Sequence, residues 1–189
     1  MSVPTGTRST TGDVVDLLVA QHREARRLFS EVEAGGAGAI ESFECLVRLL
    51  AVHETAEEEV VYPALRSVGA EGERVAEART AEEDEAKKAL SGLEGLGVDG
   101  EGFAARFQAF RADVVAHAEA EEREVFPLLR RSLDGDKLDR MRRALEAAEK
   151  MAPTHPHPHA PESALGNLVV GPFVAIADRV RDAIRGARS

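Results

Sequence analysis

The sequence predicts an all-α protein, an antiparallel up-down four-helix bundle with a C-terminal helical extension. Three observations predict it. Glycine and proline lie mostly between long tracts of Ala, Glu, Leu, Arg and Val, residues that favour helix. Within those tracts apolar residues recur every three or four positions, the period of one helix face. Four such tracts of roughly 20 to 30 residues are joined by short loops, which makes sequential helices antiparallel neighbours. No run of alternating β-branched and polar residues is long enough to suggest a strand.

The elements follow in order. Residues 1–11 are small and polar and read as a disordered tail. A first helix is expected from near Asp13, capped within Thr11 to Asp13 and ended by Ala34-Gly35-Gly36. Its inner face carries Val15, Leu18, His22, Ala25, Phe29 and Val32. A second helix runs from about Ile40 to Ser67, with Leu46, Leu50, His53, Glu57, Val60 and Ala64 inward. Gly69 to Gly72 reads as a turn. A third helix runs from about Glu73 to Leu93, followed by a Gly-rich loop through Gly102. The fourth runs from about Phe103 to Leu133, its seam formed by Phe103, Phe107, Phe110, Val114, His117, Glu121 and Leu128. The bundle thus spans 12–134 and the extension 135–189. Within the extension a helix starts near Asp136 with Leu138, Met141 and Leu145 inward. MAPTHPHPHAPES cannot be helical, because proline recurs every two or three residues. A last helix opens at Pro172 and aligns Phe173, Ile176, Val180 and Ile184.

Composition narrows the function classes. A net charge of −10 disfavours nucleic acid and anionic membranes as partners. No apolar run reaches transmembrane length, and the N-terminal stretch lacks the apolar core of a signal peptide. Cys45, the single cysteine, excludes an internal disulfide and fits a reducing compartment, so a cytoplasmic location is expected. The thiol itself reads as an inert buried group. Nucleophile elbows, phosphate-cradling glycine loops and zinc-type cysteine clusters are absent from the sequence. Nothing in it sets an oligomeric state.

The chain writes one line twice. HETAEEEVVYPALR begins at His53, and HAEAEEREVFPLLR begins at His117, an offset of 64 residues. Each copy pairs a histidine with a glutamate four residues on, which places both side chains on one helix face. The apolar neighbours of His53 and Glu57, and of His117 and Glu121, put both pairs inside the bundle. A buried carboxylate is costly unless it is paired or bound to a cation, and no Lys or Arg is expected on these seams. The repeat extends further. QHREARR (Gln21 to Arg27) aligns with EEDEAKK (Glu82 to Lys88) through a shared Glu-Ala-basic-basic core, so His22 falls opposite Glu83. A duplicated two-helix unit would converge His22, His53, Glu57, Glu83, His117 and Glu121 on the bundle centre, with Glu82 as the alternative to Glu83.

Three imidazoles and three carboxylates exceed what one tetrahedral zinc takes. They suit two octahedral ions bridged by carboxylates and a solvent oxygen, with Glu57 and Glu121 as the bridges. Donors without thiolate favour iron or manganese over soft-site metals. Several nearby residues read as structural. Glu58, Glu59 and Glu122 face water, Tyr62 packs half a turn away from His53, and Pro63 and Pro127 each remove a helical hydrogen bond. His155, His157 and His159 belong to a solvated linker.

His22, then His53-x-x-x-Glu57, then His117-x-x-x-Glu121, each pair closed by V-[YF]-P, resembles the hemerythrin-like, or HHE cation-binding, domain over residues 13 to about 133. The resemblance implies a non-haem di-iron site that binds oxygen or related small molecules, with these five residues among its ligands. One position departs from the family's pattern. Its third helix usually carries a histidine, where this chain has Glu83. An anionic ligand there favours the ferric state, so peroxide, nitric oxide or redox sensing, peroxidase- or catalase-like turnover included, is expected ahead of oxygen transport. A redox partner would then be needed. The alternatives are a non-enzymatic metal-dependent regulatory module and an iron store.

Overall fold

The computed structural model describes residues 12–151, 178–182 and 184. Among these there is helix and no strand. The first helix, α1 (Val14–Ala34), starts at a reciprocal cap. The Asp13 carboxylate accepts from the backbone N–H groups of Val15 and Asp16, and Asp16 accepts from the Asp13 N–H in return. Gly35, at φ 70°, ends the helix in a conformation that favours glycine.

The second rod has three parts: α2 (Ala39–Ala56), a π-helical turn at Glu57–Val61, and α3 (Tyr62–Arg66). Then α4 (Ala70–Leu96) runs back. The fourth rod repeats the plan of the second, with α5 (Phe103–Ala120), a π-helical turn at Glu121–Val125, and α6 (Phe126–Ser132). Packing is α1 on α2 and α5, and α4 on α3 and α5, the neighbour pattern of an antiparallel up-down bundle. Finally α7 (Gly135–Met151) lies along α1 and α2. Arg142 ties it to the Asp13 carbonyl, and Arg48 donates to the Glu149 carbonyl.

The inward faces are those the period implies. All the α1 and α2 face residues named above are buried, as are Leu138, Met141 and Leu145 of α7. Phe29, Phe43, Phe103, Phe107 and Phe110 pack ring against ring, mostly tilted or edge-on, at centroid distances of 5.2 to 6.0 Å and close one side of the bundle centre. Leu18, Leu65, Val75 and Leu129 fill the other side. The polar centre is thus held between two apolar layers.

Three details differ from the expectation. Gly72 lies inside α4, in its first turn, and not in the loop before it. A Cβ there would stand 2.0 Å from the Leu65 carbonyl oxygen, so Gly72 lets α4 approach α3 closely. The sharp reversal belongs to Gly69 alone, at φ 104°. At its far end α4 continues three residues beyond Leu93, to Leu96.

The third difference is the pair of π-helical turns. Pro63 and Pro127 lack an N–H, and a proline ring clashes with the carbonyl four residues back. The rods accommodate this by inserting one residue upstream. The Tyr62 N–H donates to the Glu57 carbonyl, and the Phe126 N–H donates to the Glu121 carbonyl, each five residues back. Residues beyond the insertion are therefore rotated relative to an uninterrupted α-helix.

Val180 and Ile184 are fully buried, and Arg181 reaches Glu59 at 3.3 Å and Glu58 at 3.6 Å. Residues 1–11, the Pro/His stretch and Pro172, Phe173 and Ile176 lie outside the described residues.

Candidate metal centre

The six expected side chains meet at one place. α1 supplies His22, α2 supplies His53, the first π-turn Glu57, α4 Glu83, α5 His117 and the second π-turn Glu121. Five of them are at most 5% exposed, and the His117 side chain is 13% exposed. They fall into two overlapping groups: His22, His53, Glu57 and Glu121, and then Glu57, Glu83, His117 and Glu121. In each group one donor atom per residue lies within 4.8 Å of the others, the spacing of donors that could hold a metal ion. Glu57 and Glu121 belong to both.

Each imidazole is aimed by a second residue. His22 Nδ1 is 2.9 Å from Glu122 Oε1, His53 Nδ1 is 2.8 Å from Gln21 Oε1, and His117 Nδ1 is 2.9 Å from Glu82 Oε2. The Gln21 amide is oriented in turn, because its Nε2 donates to Glu149 of α7 at 2.5 Å. All three partners are acceptors, so each Nδ1 carries the proton and each Nε2 presents a lone pair. His22 Nε2 and His53 Nε2 then face each other at 3.2 Å. They also face carboxylate oxygens of Glu121 and Glu57, each at 3.3 Å. Lone pairs crowded on lone pairs repel unless a cation lies between them.

The buried atoms without a hydrogen-bond partner tell the same story. They include both carboxylate oxygens of Glu57, one each of Glu83 and Glu121, and His117 Nε2. Orphaned polar atoms are rare in native interiors, and here they share one centre. Burial drives the Glu57 and Glu83 carboxyls well above the ordinary carboxylate range, and neighbouring carboxylates push in the same direction. Burial also acts to raise Glu121, and only positive charge on the surrounding imidazoles would hold it down, at about 2. His53 is pushed down to about 3 by burial and by His22. Without protons or cations, three carboxylates cannot all stay charged here. The residues present therefore fit a pair of cations.

A pH dependence follows for chelator-stripped protein. Glu54 is raised to about 8 by burial, and Glu57 and Glu83 are raised as well, against an ordinary value of 4.5. A raised folded pKa gives stability that is complete below the unfolded value and is lost as pH climbs through the folded one. His53, depressed from 6.5, acts oppositely, but only below about pH 6.5. Between pH 6.5 and 8.5 the stripped protein should lose about 1.4 kcal/mol per pH unit for each carboxyl that stays protonated in the folded state and is ionised in the unfolded chain, a loss that for Glu54 levels off above about pH 8. Urea midpoints at the two pH values test this, and a level or rising midpoint contradicts it.

Several surrounding residues depart from the expectation. Tyr62 is fully buried, and its hydroxyl donates to Glu83 and lies 3.0 Å from Glu121 Oε1. The π-turn explains why. With an i→i+5 ladder, Tyr62 follows Glu57 as an i+4 residue would in an α-helix, and so shares its face. Phe126 makes the matching move and stacks on His22 at a centroid distance of 5.5 Å. Glu122 does not simply face water, because it holds His22 and also accepts from Arg26. Glu58 pairs with Lys87, and Glu59 with Arg181. The seams are not free of cations, since Lys87 comes within 3.6 Å of Glu83. Glu82, the alternative to Glu83, is the partner of His117 and lies outside both groups. Glu54, a buried carboxylate beside His53, had no signal in the periodicity. Burial pushes the half-buried Cys45 thiol up, as expected of an unreactive cysteine.

A cavity of about 520 Å3 opens onto the centre, lined by His22, His53, Glu83 and His117 and walled by Ala25, Phe29, Leu50 and Val114.

Comparisons with known proteins agree with this geometry. Residues 13–129 match the family model for the hemerythrin HHE cation binding domain. An uncharacterized hemerythrin-like protein of Schizosaccharomyces pombe is 31% identical over 134 residues, covering 70% of this chain and 66% of that relative's length. No solved structure matches. Two histidine-glutamate pairs at matching places on paired rods, inside a match that spans most of the bundle, make this chain a member of the hemerythrin HHE cation-binding domain family.

Proposed function

We propose that His22, His53, Glu57, Glu83, His117 and Glu121 hold two iron ions, and that the protein binds or reacts with peroxide, nitric oxide or oxygen. Manganese and zinc suit the site less well. The observation that carries this reading is the pair of four-residue groups sharing Glu57 and Glu121. Bound iron would supply a redox-active Lewis-acid pair able to take up a diatomic or peroxide ligand. The protein's own residues do the rest. Gln21, Glu122 and Glu82 keep the three Nε2 atoms turned inward. The Tyr62 O–H steadies Glu83 and Glu121 and keeps a proton beside them. Ala25, Phe29, Leu50 and Val114 form the apolar part of the cavity wall along which a small ligand would reach the centre.

Glu83 sets the direction of the chemistry. It adds a third carboxylate where the family usually places a neutral imidazole, and negative charge stabilises the more oxidised metal. Reversible oxygen carriage needs a stable reduced pair, so peroxide or nitric oxide chemistry, or redox sensing, is favoured. Protein purified from iron-supplied cells should carry two irons per chain, with a visible spectrum that changes on adding peroxide. Glu83→His should shift the site toward reversible oxygen binding. Wild-type protein that takes up and releases oxygen intact over many cycles would overturn the assignment. Turnover requires a reducing partner, and a cytoplasmic setting supplies one.

A second reading is favoured by one contact. Arg181 pairs with Glu58 and Glu59, the residues that follow the bridging Glu57 on its π-turn. A change in metal occupancy that moved this turn would loosen residues 178–182. In a regulatory module, trypsin would then cut near Arg179 and Arg181 faster in chelated protein than in loaded protein. Equal rates would remove this reading.

A further inference from the structure

The cavity that reaches the metal centre has a carboxylate that neither four-residue group uses. Glu54 lies in its wall, is 5% exposed, and has one oxygen, Oε2, with no hydrogen-bond partner. A buried carboxyl oxygen without a partner is costly. The cavity's rim is acidic as well. Glu82, Glu85 and Asp113 line it and are exposed. Two of them have partners, since Glu82 is on His117 and Arg79, and Glu85 is on Lys88. The cations nearby are also engaged. Arg26, on the rim, pairs with Glu122, and Lys87, which Glu54 feels at a distance, pairs with Glu58.

Size separates the possible uses of this space. At ~30 Å3 per water, about 520 Å3 holds roughly 17 waters. A diatomic ligand needs the room of one or two. A divalent cation with six waters needs the room of about seven. The cavity is therefore far larger than a gas ligand requires and has room for a hydrated cation. A low-dielectric cavity whose rim is mostly acidic also concentrates cations.

We propose that Glu54 is a transit ligand for metal loading. A hydrated divalent cation enters past Glu85 and Asp113, exchanges a water for the Glu54 carboxylate, and passes to Glu83 and His117. No electrons move in this step, and the displaced water leaves through the same cavity together with the proton that Glu54 gives up on binding the cation. The inference rests on the two-metal reading above and adds the route by which the ions arrive. It separates Glu54, which handles the ion in passing, from the six residues that keep it.

The test uses full-length protein stripped with a chelator and mixed in a stopped-flow instrument with Co2+, whose bound form is read by its visible absorption. Final cobalt per chain is counted after dialysis. Glu54→Gln should load at least tenfold more slowly and lose cobalt to excess chelator more slowly by a similar factor, with the same final count. Uptake at the wild-type rate overturns the proposal. So does a lower final count, which would make Glu54 a resident ligand. The double variant Glu85→Gln with Asp113→Asn alters only exposed residues and leaves the core intact. It should slow uptake two- to fivefold at low salt and match wild type at 1 M salt, where surface charge is screened. A wild-type rate at low salt removes the entry route. Wild-type protein that binds no cobalt or iron at all sinks the two-metal reading itself, and this proposal with it.

Discussion

Replacing Glu57 or Glu121 with glutamine should empty both metal positions, whereas His117→Ala should empty only one. The two glutamates are the residues common to both four-residue groups, and each is fully buried. A neutral amide cannot bridge two cations, and its NH2 would point a donor at a positive ion. Affinity at both positions should fall by at least about a hundredfold, the upper end of what even an outer partner of a metal ligand commands. His117 belongs only to the group containing Glu83, so its loss leaves His22, His53 and both bridges in place. Metal counts near zero, near zero and near one for the three variants would support the shared-bridge arrangement. A count near one in Glu57→Gln or Glu121→Gln would show that the positions are filled independently.

Stripping the metals should lower the melting temperature by about 15–30 °C. Each ion held with free metal about a thousandfold above its dissociation constant adds about 4 kcal/mol, so two add about 8 kcal/mol. In a chain of this size, 1 kcal/mol moves the midpoint by about 2–4 °C. The structural reason is local. The centre crowds three carboxylates and three inward lone pairs into one buried space, and the unpartnered atoms of Glu57, Glu83, Glu121 and His117 have no protein donor to satisfy them. Scanning calorimetry of loaded and chelated protein at one pH checks this. A shift below about 5 °C would mean that protonation of Glu57 and Glu83 relieves the strain nearly as well as metal does.

The convergence of His22, His53, Glu57, Glu83, His117 and Glu121 was legible in the chain before any coordinates. A ligand face is a local property of a helix, because residues four apart point the same way whatever surrounds them. The duplication then supplied the pairing. His53 with Glu57 is restated by His117 with Glu121, and the same alignment selected Glu83 over its neighbour Glu82, which lies outside both groups. The inward faces of α1, α2 and α7 were legible for the same reason, since burial follows a 3.6-residue period that the chain spells out.

What the sequence left open has a different physical origin. Counting along an uninterrupted α-helix sets Tyr62 half a turn from His53, but the ladder slips by one residue before each proline, and that slip turns the phenol onto Glu83 and Glu121. Proline signals an irregularity, yet neighbouring packing decides whether the rod answers with a kink or a π-turn. Likewise Glu122 meets His22 across 100 residues of chain, and Gln21 is fixed by Glu149 of α7 across 128. Glu54 became visible only as an orphaned oxygen in a cavity wall. The sequence alone determined the helices, their inner faces and the six positions that converge, because each depends on spacing within one helix. Only the tertiary structure decided how the imidazoles are aimed, where the phenol lies and how the centre is reached, because those depend on groups brought together by packing between helices.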